Sequence, residues 1–323
     1  MNRCGRAVAA LAFAFVATAC GDGPSSPAAG HGATQFYVDS GGAAAREVRR
    51  LEDEGRTEEA ALIRRIADRP NAIWIVDDDP QPEVAAITAA AQEAGQVPIF
   101  VAYHIPDRDC GRFSAGGAVS AEEYRSWIGR FAEGIGDRPA WVVVEPDALA
   151  HILDSCTQGG RAAERLDLLR GAVQTLKKQP NVKVYLDAGN AGWIENPDDW
   201  EEPMRQAGVG EADGFAFNVS NFFTTEDSVA AARGLSDRLG GAHYVIDTSR
   251  NGNGPLREGD DSWCNPRGRA LGAEPTTRTG HERVDAFLWI KRPGESDGDC
   301  HRGEPKPGDW FTDYALELAR NSG

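Results

Sequence analysis

Carboxylate side chains follow several short apolar runs of this sequence, and they are the residues best suited to chemistry. Val101–Cys110 reads V-A-Y-H-I-P-D-R-D-C, and Trp141–Asp147 reads W-V-V-V-E-P-D. Crowded carboxylates raise one another's pKa, because each negative charge disfavours the ionisation of its neighbour. One carboxylic acid can then stay protonated near neutral pH while another is ionised. The residue types therefore favour acid/base catalysis by paired carboxylates.

The same pattern, polar residues directly after an apolar run, recurs along the chain. A single Asp at such a position is usually a turn or capping residue, so the repetition carries the argument. Among the six histidines only His104 lies directly in this pattern. The residues concerned are Tyr103, Asp107, Arg108, Asp109, Glu145, Asp147, Asp187, Asn190, Trp193, Asn218, Ser220, Asn221, Asp247, Ser249, Arg250, Asn251, Lys291, Glu295 and Asp297. Tryptophans near this set, such as Trp193 and Trp289, could stack on sugar rings, and acid, base and stacking surface together indicate glycoside hydrolysis.

The elements that must position these residues are short strands rich in apolar side chains. Nearly continuous apolar character is typical of parallel strands that are covered on both faces. The predicted strands are Ile73–Val76, Pro98–Tyr103, Trp141–Glu145, Lys183–Asp187, Phe215–Asn218, Tyr244–Asp247 and Ala286–Ile290.

Helical patterns separate the strands, and about seven strand–helix repeats predict a parallel sheet with crossover helices. The predicted helices are Ala43–Ala67, Glu83–Ala94, Ala121–Ile135, Arg161–Lys178, Asp227–Leu239 and Trp310–Ala319. We expect a closed or nearly closed barrel, with the active site at the C-terminal ends of the strands. A doubly wound open sheet is the alternative, but no G-x-G-x-x-G motif follows the first strand.

The net charge of −16, from 50 acidic and 34 basic residues, argues against a nucleic-acid partner and against an anionic substrate. It is compatible with a neutral or cationic partner, or with solubility alone. No spacing of cysteine or histidine predicts a metal site, and no cofactor is expected.

The first 19 residues read as a signal peptide, because basic residues precede an apolar run too short to span a membrane comfortably. The small residues before Cys20 resemble the lipobox of bacterial lipoproteins, which predicts lipidation of Cys20. Ordinary cleavage nearby is the alternative. A Gly/Pro/Ser-rich tether would fill residues 20–34 and lead into a single catalytic domain over 35–323. The protein is expected to be exported, either as a lipoprotein on the extracellular face of the membrane or as a secreted protein. Membrane contact would then be only through the lipid anchor.

Four cysteines fall in the predicted domain: Cys110, Cys156, Cys264 and Cys300. An even number in an oxidising compartment suggests two disulfides, and four cysteines allow three pairings.

The ordered motifs resemble glycoside hydrolase family 6, the inverting β-1,4-glucanases and cellobiohydrolases. The matching stretches are A-Y-H-I-P-D-R-D-C, V-E-P-D-A-L-A, Y-L-D-A-G-N-A-G-W, N-V-S-N-F, V-I-D-T-S-R-N-G-N-G, W-C-N-P-x-G-R and F-L-W-I-K-R-P-G-E-S-D-G-D-C. The resemblance covers roughly Gln35–Ala319. It implies a distorted parallel (β/α) barrel of about seven strands with a cleft or tunnel across its top.

The resemblance also implies roles for single residues. Asp147 matches the general acid, Asp109 the aspartate that raises the acid's pKa and drives a water relay, and Asp297 a base or stabiliser at the cleaved sugar. Tyr103 matches the tyrosine beneath that sugar, and Asp187 an aspartate that supports the site. Sugar-binding positions are matched by Trp193, Trp289, Lys291 and Glu295. Asp187 is also counted in the expected substrate-binding set, which is completed by Asn190 and Asn218 after their strands. The family's two disulfides imply Cys110–Cys156 and Cys264–Cys300.

One departure concerns the residue that holds the hydrolytic water. The family's serine at this place is Ala115 here, and Ser114 is the candidate replacement one residue earlier. The segment from Asp297 to Trp310 is only about a dozen residues long, whereas tunnel-forming members have a long one. We therefore expect internal cleavage of β-1,4-glucans by a monomer that binds the polysaccharide or cello-oligosaccharides. Alternatives are a cellobiohydrolase acting from chain ends, a non-catalytic glucan-binding lipoprotein, and a barrel lyase or isomerase, which would need a metal, phosphate loop or lysine base.

Overall fold

The computed structural model describes Met1 and residues 33–112, 114–154, 156–194, 196–257, 262–300 and 302–322. Apart from Met1, the predicted signal peptide, the predicted lipidation site Cys20 and the predicted tether up to residue 32 lie outside the described residues. One compact unit spans Ala33–Gly323. It includes the last two residues of the predicted tether, since the Thr34 amide donates a hydrogen bond to the Thr277 hydroxyl at 3.2 Å.

A curled sheet of seven parallel strands forms the centre of this unit, and the strand order follows the sequence. The strands are β1 (Ile73–Ile75), β2 (Ile99–Ala102), β3 (Ala140–Val144), β4 (Val182–Asp187), β5 (Gly214–Phe217), β6 (His243–Asp247) and β7 (Val284–Leu288). Between the first and last strands the Ala72 amide donates to the Trp289 carbonyl at 2.9 Å, and the Trp74 indole donates to the Ile290 carbonyl at 2.8 Å. These bonds bring the sheet's two edges together, which confirms the predicted distorted barrel.

In the described residues, helices fill the crossovers from β1 to β6, and others precede β1 and follow β7. They are α1 (Ala43–Asp53), α2 (Thr57–Ala67), α3 (Gln81–Glu93), α4 (Ala121–Ile135), α5 (Ala150–Leu153), α6 (Gly160–Leu176), α7 (Asp198–Gln206), α8 (Thr225–Arg238) and α9 (Thr312–Arg320). Side-chain caps begin two of them: Ser120 accepts the Glu123 amide and Thr224 accepts the Asp227 amide. None of the helices in the described ranges is long and apolar enough to cross a membrane.

Two differences from the predicted elements have local causes. The predicted helix Ala43–Ala67 is two helices, because Gly55 adopts φ +75° and ends the first one. The short helices α5 and α7 were not predicted. The first has only four residues, and the second contains Pro203 and has few apolar residues to show a period.

Alternation along the strands divides the core into an inner and an outer layer. The inner layer fills the barrel with residues such as Val101, Val143, Tyr185 and Val245. The outer layer lies between the sheet and the helices. There α4 contributes Trp127 and packs against α6, while α8 packs against β6. Because side chains alternate along a strand, a residue two positions beyond an inner residue also points into the barrel. The residues at the strand ends therefore close the top of the barrel interior.

Candidate active site

Three buried carboxylates join the C-terminal ends of neighbouring strands. Glu145 accepts the amides of His104 and Ile105 at 2.9 to 3.1 Å, which ties the end of β3 to that of β2. Asp187, at the end of β4, accepts the amides of Asp147 at 2.9 Å and Gly189 at 3.2 Å. The parallel ladder has ended at these amides, so the carboxylates satisfy donors that would otherwise be buried without partners.

Asp247 performs the same task for three strands. Its carboxylate accepts the amides of Ser220 after β5, Ser249 after β6, and Ile290 and Lys291 after β7, at 2.9 to 3.2 Å. The backbone beyond the sheet is thus fixed by side-chain acceptors, which holds the following loops in place.

Burial raises the pKa of all three anchoring acids. It raises the pKa of Glu145 to about 7 and that of Asp187 to about 7, although the amide donors act in the opposite direction. The pKa of Asp247 is also raised by burial. The top of the barrel therefore contains several acids that hold protons more tightly than usual.

Asp147 lies two residues after Glu145, beyond the end of β3, and the Asp187 carboxylate accepts its backbone amide. Burial raises the pKa of Asp147 well above its usual range, and the negative charges of Asp187 and Asp109 raise it further. Its φ of +70° is one that aspartate tolerates better than most residues. A carboxyl group that keeps its proton near neutral pH, on a strained loop, is suited to act as a general acid.

Asp109 lies on an irregular loop after β2, where it begins a short 3₁₀ turn over Asp109–Gly111. Its Oδ2 accepts the Ser114 amide at 2.7 Å. The Arg108 guanidinium holds the loop from the other side by donating to the carbonyls of Tyr103 and Ser114 at 2.6 and 2.8 Å. Ser114 therefore contacts Asp109 through its backbone, and its predicted role in holding water stays a prediction.

Asp297 is bound by two buried cations. Its Oδ2 accepts Arg250 Nη1 at 2.7 Å and the Asn265 amide at 3.0 Å, and its Oδ1 lies 3.3 Å from Lys291 Nζ. Burial opposes ionisation, but Arg250 and Lys291 prevail and lower the pKa of Asp297. This carboxylate is therefore ionised and weakly basic, in contrast to Asp147.

Tyr103 closes the top of the inner layer between these groups. Its ring packs edge-on against Trp74 at a centroid distance of 5.1 Å, and the Arg108 guanidinium lies 4.7 Å from its centre. Burial, with the charges of Asp147 and Asp109, raises the pKa of Tyr103, so its hydroxyl stays protonated.

Trp193 is the exposed aromatic residue among the predicted sugar-binding positions, with 47% of its surface accessible. It packs over Gly189, where an added Cβ would lie 2.8 Å from the Trp193 ring and 3.0 Å from Trp200. Trp263 is a second exposed tryptophan, at 41%, and it lies two residues before Asn265, which bonds Asp297. We did not predict a role for Trp263, although its position in the quoted W-C-N motif was an available signal.

The structure does not support direct sugar contact by Trp289, Asn190 or Asn218. Trp289 is 1% exposed and its indole donates to the Ala273 carbonyl at 2.9 Å. It faces the helices because it alternates with the inner residues Leu288 and Ile290. The two asparagines are also buried and hold backbone groups instead: Asn190 Oδ1 accepts the Gly192 amide, and Asn218 Nδ2 donates to the Phe223 and Asp247 carbonyls. We remove these three residues from the substrate-binding set.

Lys291 and Glu295 lie beside Asp297 but already have protein partners. Lys291 Nζ donates to the Ser296 carbonyl at 3.1 Å, and Glu295 pairs with Arg292 at 2.8 Å. Both side chains are buried, so their contacts stabilise the loop that carries Asp297.

His104, the histidine that directly follows a predicted strand, does not contact Asp109 or Asp147. It is buried and stacks on Trp127 at 4.8 Å, with Nδ1 3.1 Å from the Val76 carbonyl and Nε2 3.9 Å from Asp78 Oδ1. His151, on α5, instead has its Nε2 4.0 Å from Asp109 Oδ1. No strand precedes it directly, so a search restricted to strand ends could not find it.

Two disulfides link the loops of the site, Cys110–Cys156 and Cys264–Cys300, as the family resemblance implies. The first joins the neighbour of Asp109 to the segment after α5. The second joins the loop of Asn265 to the segment after Asp297.

A curled parallel barrel with paired carboxylates at the C-terminal ends of its strands is an arrangement that barrel glycosidases use. The family model described as glycosyl hydrolases family 6 matches residues 31–322. The chain belongs to this family.

Relatives within the family are similar over most of this chain. Endoglucanase A of Cellulomonas fimi is 46% identical over 81% of this chain, and endoglucanase A of Thermobispora bispora is 42% identical over 89%. The chain spans only 56% and 62% of the lengths of these two relatives.

Among solved structures, the endoglucanase Cel6 of Mycobacterium tuberculosis matches with a TM-score of 0.84 and 44% identity. The match covers 89% of this chain and 97% of that one, which was solved in complex with methyl-cellobiosyl-4-deoxy-4-thio-β-D-cellobioside. The catalytic core of a Chaetomium thermophilum cellobiohydrolase is less similar, with 28% identity, a TM-score of 0.76 and coverage of 90% and 97%.

Proposed function

We propose that this protein is an inverting endo-β-1,4-glucanase in which Asp147 is the general acid. The observation that carries the proposal is the place of Asp147 after β3, where the Asp187 carboxylate accepts its amide at 2.9 Å. Burial and the charges of Asp187 and Asp109 raise the pKa of its carboxyl group. The likeness of the whole chain to the two bacterial endoglucanases supports β-1,4-glucan as the substrate. The structure of the Mycobacterium relative was solved with a thio-cello-oligosaccharide, which supports the same substrate class.

In the proposed mechanism, Asp147 protonates the leaving glycosidic oxygen while water attacks the anomeric carbon from the opposite face. Asp109 takes the proton from that water, directly or through a second water. We assign Asp297 to electrostatic stabilisation of the cleaved sugar, because two cations lower its basicity. Tyr103 supplies a neutral hydroxyl and a ring beneath the same sugar. Trp193 is proposed as a stacking surface for another sugar of the chain.

Internal cleavage is supported by the loop between Asp297 and Trp310. The Ser296 amide donates to the Asp309 carbonyl at 2.9 Å, and the Gly308 amide donates to the Ser296 carbonyl at 3.0 Å. The loop thus folds back on its own base, where Glu295 also bridges to Trp310. A short loop closed on itself has little chain with which to roof the cleft.

The test follows viscosity and new reducing ends together during hydrolysis of carboxymethyl cellulose by the purified protein. An internal cut lowers viscosity sharply for few new ends, and D147N should abolish both signals. D167N is the matched control, because Asp167 is exposed and pairs with Arg125 on the surface. New ends with little loss of viscosity would indicate attack from chain ends. Neither signal, with cello-oligosaccharides also intact, would indicate a glucan-binding protein.

We further propose that the chain is exported and lipidated at Cys20, and that it acts as a monomer at the extracellular face of the membrane. The sequence supports this through the apolar run that ends in small residues before Cys20. Expression in a bacterial host with an alkyne-tagged fatty acid should label the wild type and not C20S. C4S is the matched control within the predicted signal peptide. Sedimentation of the unlipidated protein tests the monomer, which a concentration-dependent dimer would contradict.

A further inference from the structure

His151 lies between the two loops that carry the proposed acid and base. It follows Asp147 by four residues, and its amide donates to the Asp147 carbonyl at 2.9 Å in the turn that starts α5. Its ring is buried, and Nε2 faces Asp109 Oδ1 across 4.0 Å. The backbone of His151 is therefore fixed to the acid, while its side chain is directed at the base.

The surroundings of the ring leave it little freedom. The ligand atoms of His151, Cys110 and Cys156 all lie within 4.8 Å of one another, so the imidazole packs against the disulfide. Because the two sulfurs are bonded to each other, their thiolates are not available to bind a metal.

The charged groups that face the ring come from each element packed around it. They are Asp109 and Arg112 on the 3₁₀ loop, Asp154 after α5 and Arg165 on α6. Burial, followed by the positive charge of Arg165, lowers the pKa of His151. The imidazole is therefore neutral near neutral pH and carries one N–H.

The two carboxylate oxygens of Asp109 face different neighbours. Its Oδ2 accepts the Ser114 amide, while Oδ1 is the oxygen that faces His151. A direct hydrogen bond needs the ring and the carboxylate to approach by about 1 Å. Donation from a neutral imidazole to a carboxylate would fix the direction of the carboxylate's free lone pairs.

We propose that His151 is a positioning residue for Asp109, donating from Nε2 to Oδ1 so that the carboxylate is held toward the hydrolytic water. The catalytic effect of this His151–Asp109 contact rests on the proposed function, but the existence of the contact does not. Because the His151 backbone is tied to Asp147, the same residue also fixes the separation of the acid from the base. That separation must leave room for a water molecule in an inverting enzyme.

The first test reads the contact without using activity. In ¹⁵N-histidine-labelled protein, with the His151 signals assigned from their loss in H151Q, the ring nitrogens are titrated in the wild type and in D109N. The negative charge of Asp109 favours the protonated imidazole, so D109N should move the His151 titration to lower pH. The exposed His281 is the internal control. An unchanged His151 titration in D109N would overturn the proposal.

The second test reads the consequence for catalysis. H151L removes the donor and should lower kcat about tenfold, the loss expected for one hydrogen bond to a charged group, with KM little changed. Without the donor the ionised form of Asp109 is less stable, so the acidic limb of the pH profile should move to higher pH. H151Q keeps an N–H and should restore the limb, and H281L should not move it.

These readouts separate the two proposals. A wild type that leaves glucan uncut while the His151 titration shifts in D109N overturns the function and supports the contact. An active wild type whose kcat and acidic limb are the same in H151L overturns the positioning role. In a D109N background, any residual activity should be insensitive to H151L, and a further tenfold loss would show that His151 acts other than through Asp109.

Discussion

The Asp187 carboxylate accepts the backbone N–H of Asp147 at 2.9 Å with one oxygen, while its other oxygen is buried without a hydrogen-bond partner in the described structure. Asp187 thus holds Asp147 in place and also supplies a negative charge that raises the pKa of Asp147. Position and acidity of the proposed acid depend on the same neighbour.

D187N should separate these two effects. The amide oxygen can still accept the Asp147 N–H, and the new NH₂ group replaces the unpartnered oxygen, so the loop is kept. Loss of the charge lowers the pKa of Asp147, and the alkaline limb of kcat/KM against pH should move to lower pH. An alkaline limb unchanged in D187N would mean that another group sets it.

D147N should remove activity and stabilise the fold. Asparagine accepts the φ of +70° at this position, and the change removes one of several crowded acids. We expect kcat to fall by at least about 10²-fold, in keeping with the loss of a general acid, while Tm rises. Calorimetry and initial rates check the two parts. A Tm that falls while D167N leaves it unchanged would contradict the argument from strain and crowding.

The stability of the wild type should fall as the pH rises from about 4 to about 7. Asp187 and Glu145 have folded pKa values of about 7, whereas unfolded carboxyls titrate near 4. The folded state therefore binds these protons more tightly, and the stabilisation is fully present below the unfolded pKa and lost as the pH passes the folded one. Asp297, whose pKa is lowered, contributes oppositely, and its stabilisation is lost on acidification.

Urea unfolding at pH 5 and pH 8 measures this dependence. The free energy of unfolding should be larger at pH 5, and the difference should shrink in D187N. Equal values at both pH would mean that the buried acids retain ordinary pKa values.

Two tryptophans provide a matched pair that separates binding from packing. W193A should weaken binding of long cello-oligosaccharides about tenfold, near 1.4 kcal/mol, with little change in Tm because the ring is exposed. W289A should cost about 3–5 kcal/mol of stability, as for a large core residue, with affinity per folded molecule unchanged. Isothermal titration and denaturant unfolding of both variants check this. A loss of affinity in W289A together with a loss of stability in W193A would refute the assignment.

The barrel could be predicted from the sequence because its strands are continuous apolar runs and its helices have clear periods. The same alternation could have excluded Trp289 from the sugar-binding set. Trp289 lies one residue from the inner residues Leu288 and Ile290, so it had to face the helices.

Other features depend on contacts that no local pattern records. Glu145, Asp187 and Asp247 were expected at the strand ends. That they accept the neighbouring strands' amides follows only from the sheet's order and register. His151 lies on α5 rather than directly at the end of β3, and its approach to Asp109 depends on how α5 packs against the loop after β2.

The disulfide Cys110–Cys156 makes the position of Asp109, the proposed base, dependent on whether these two cysteines have been oxidised. Asp109 adjoins Cys110, on a loop with little regular structure, where Asp107, Asp109 and Cys110 all adopt left-handed backbone. A chain with reduced thiols would keep its barrel but would lack the covalent tie between this loop and the segment after α5. Under the proposed function, full hydrolytic activity would then appear only after these two cysteines are oxidised, and its onset would report that this disulfide has formed.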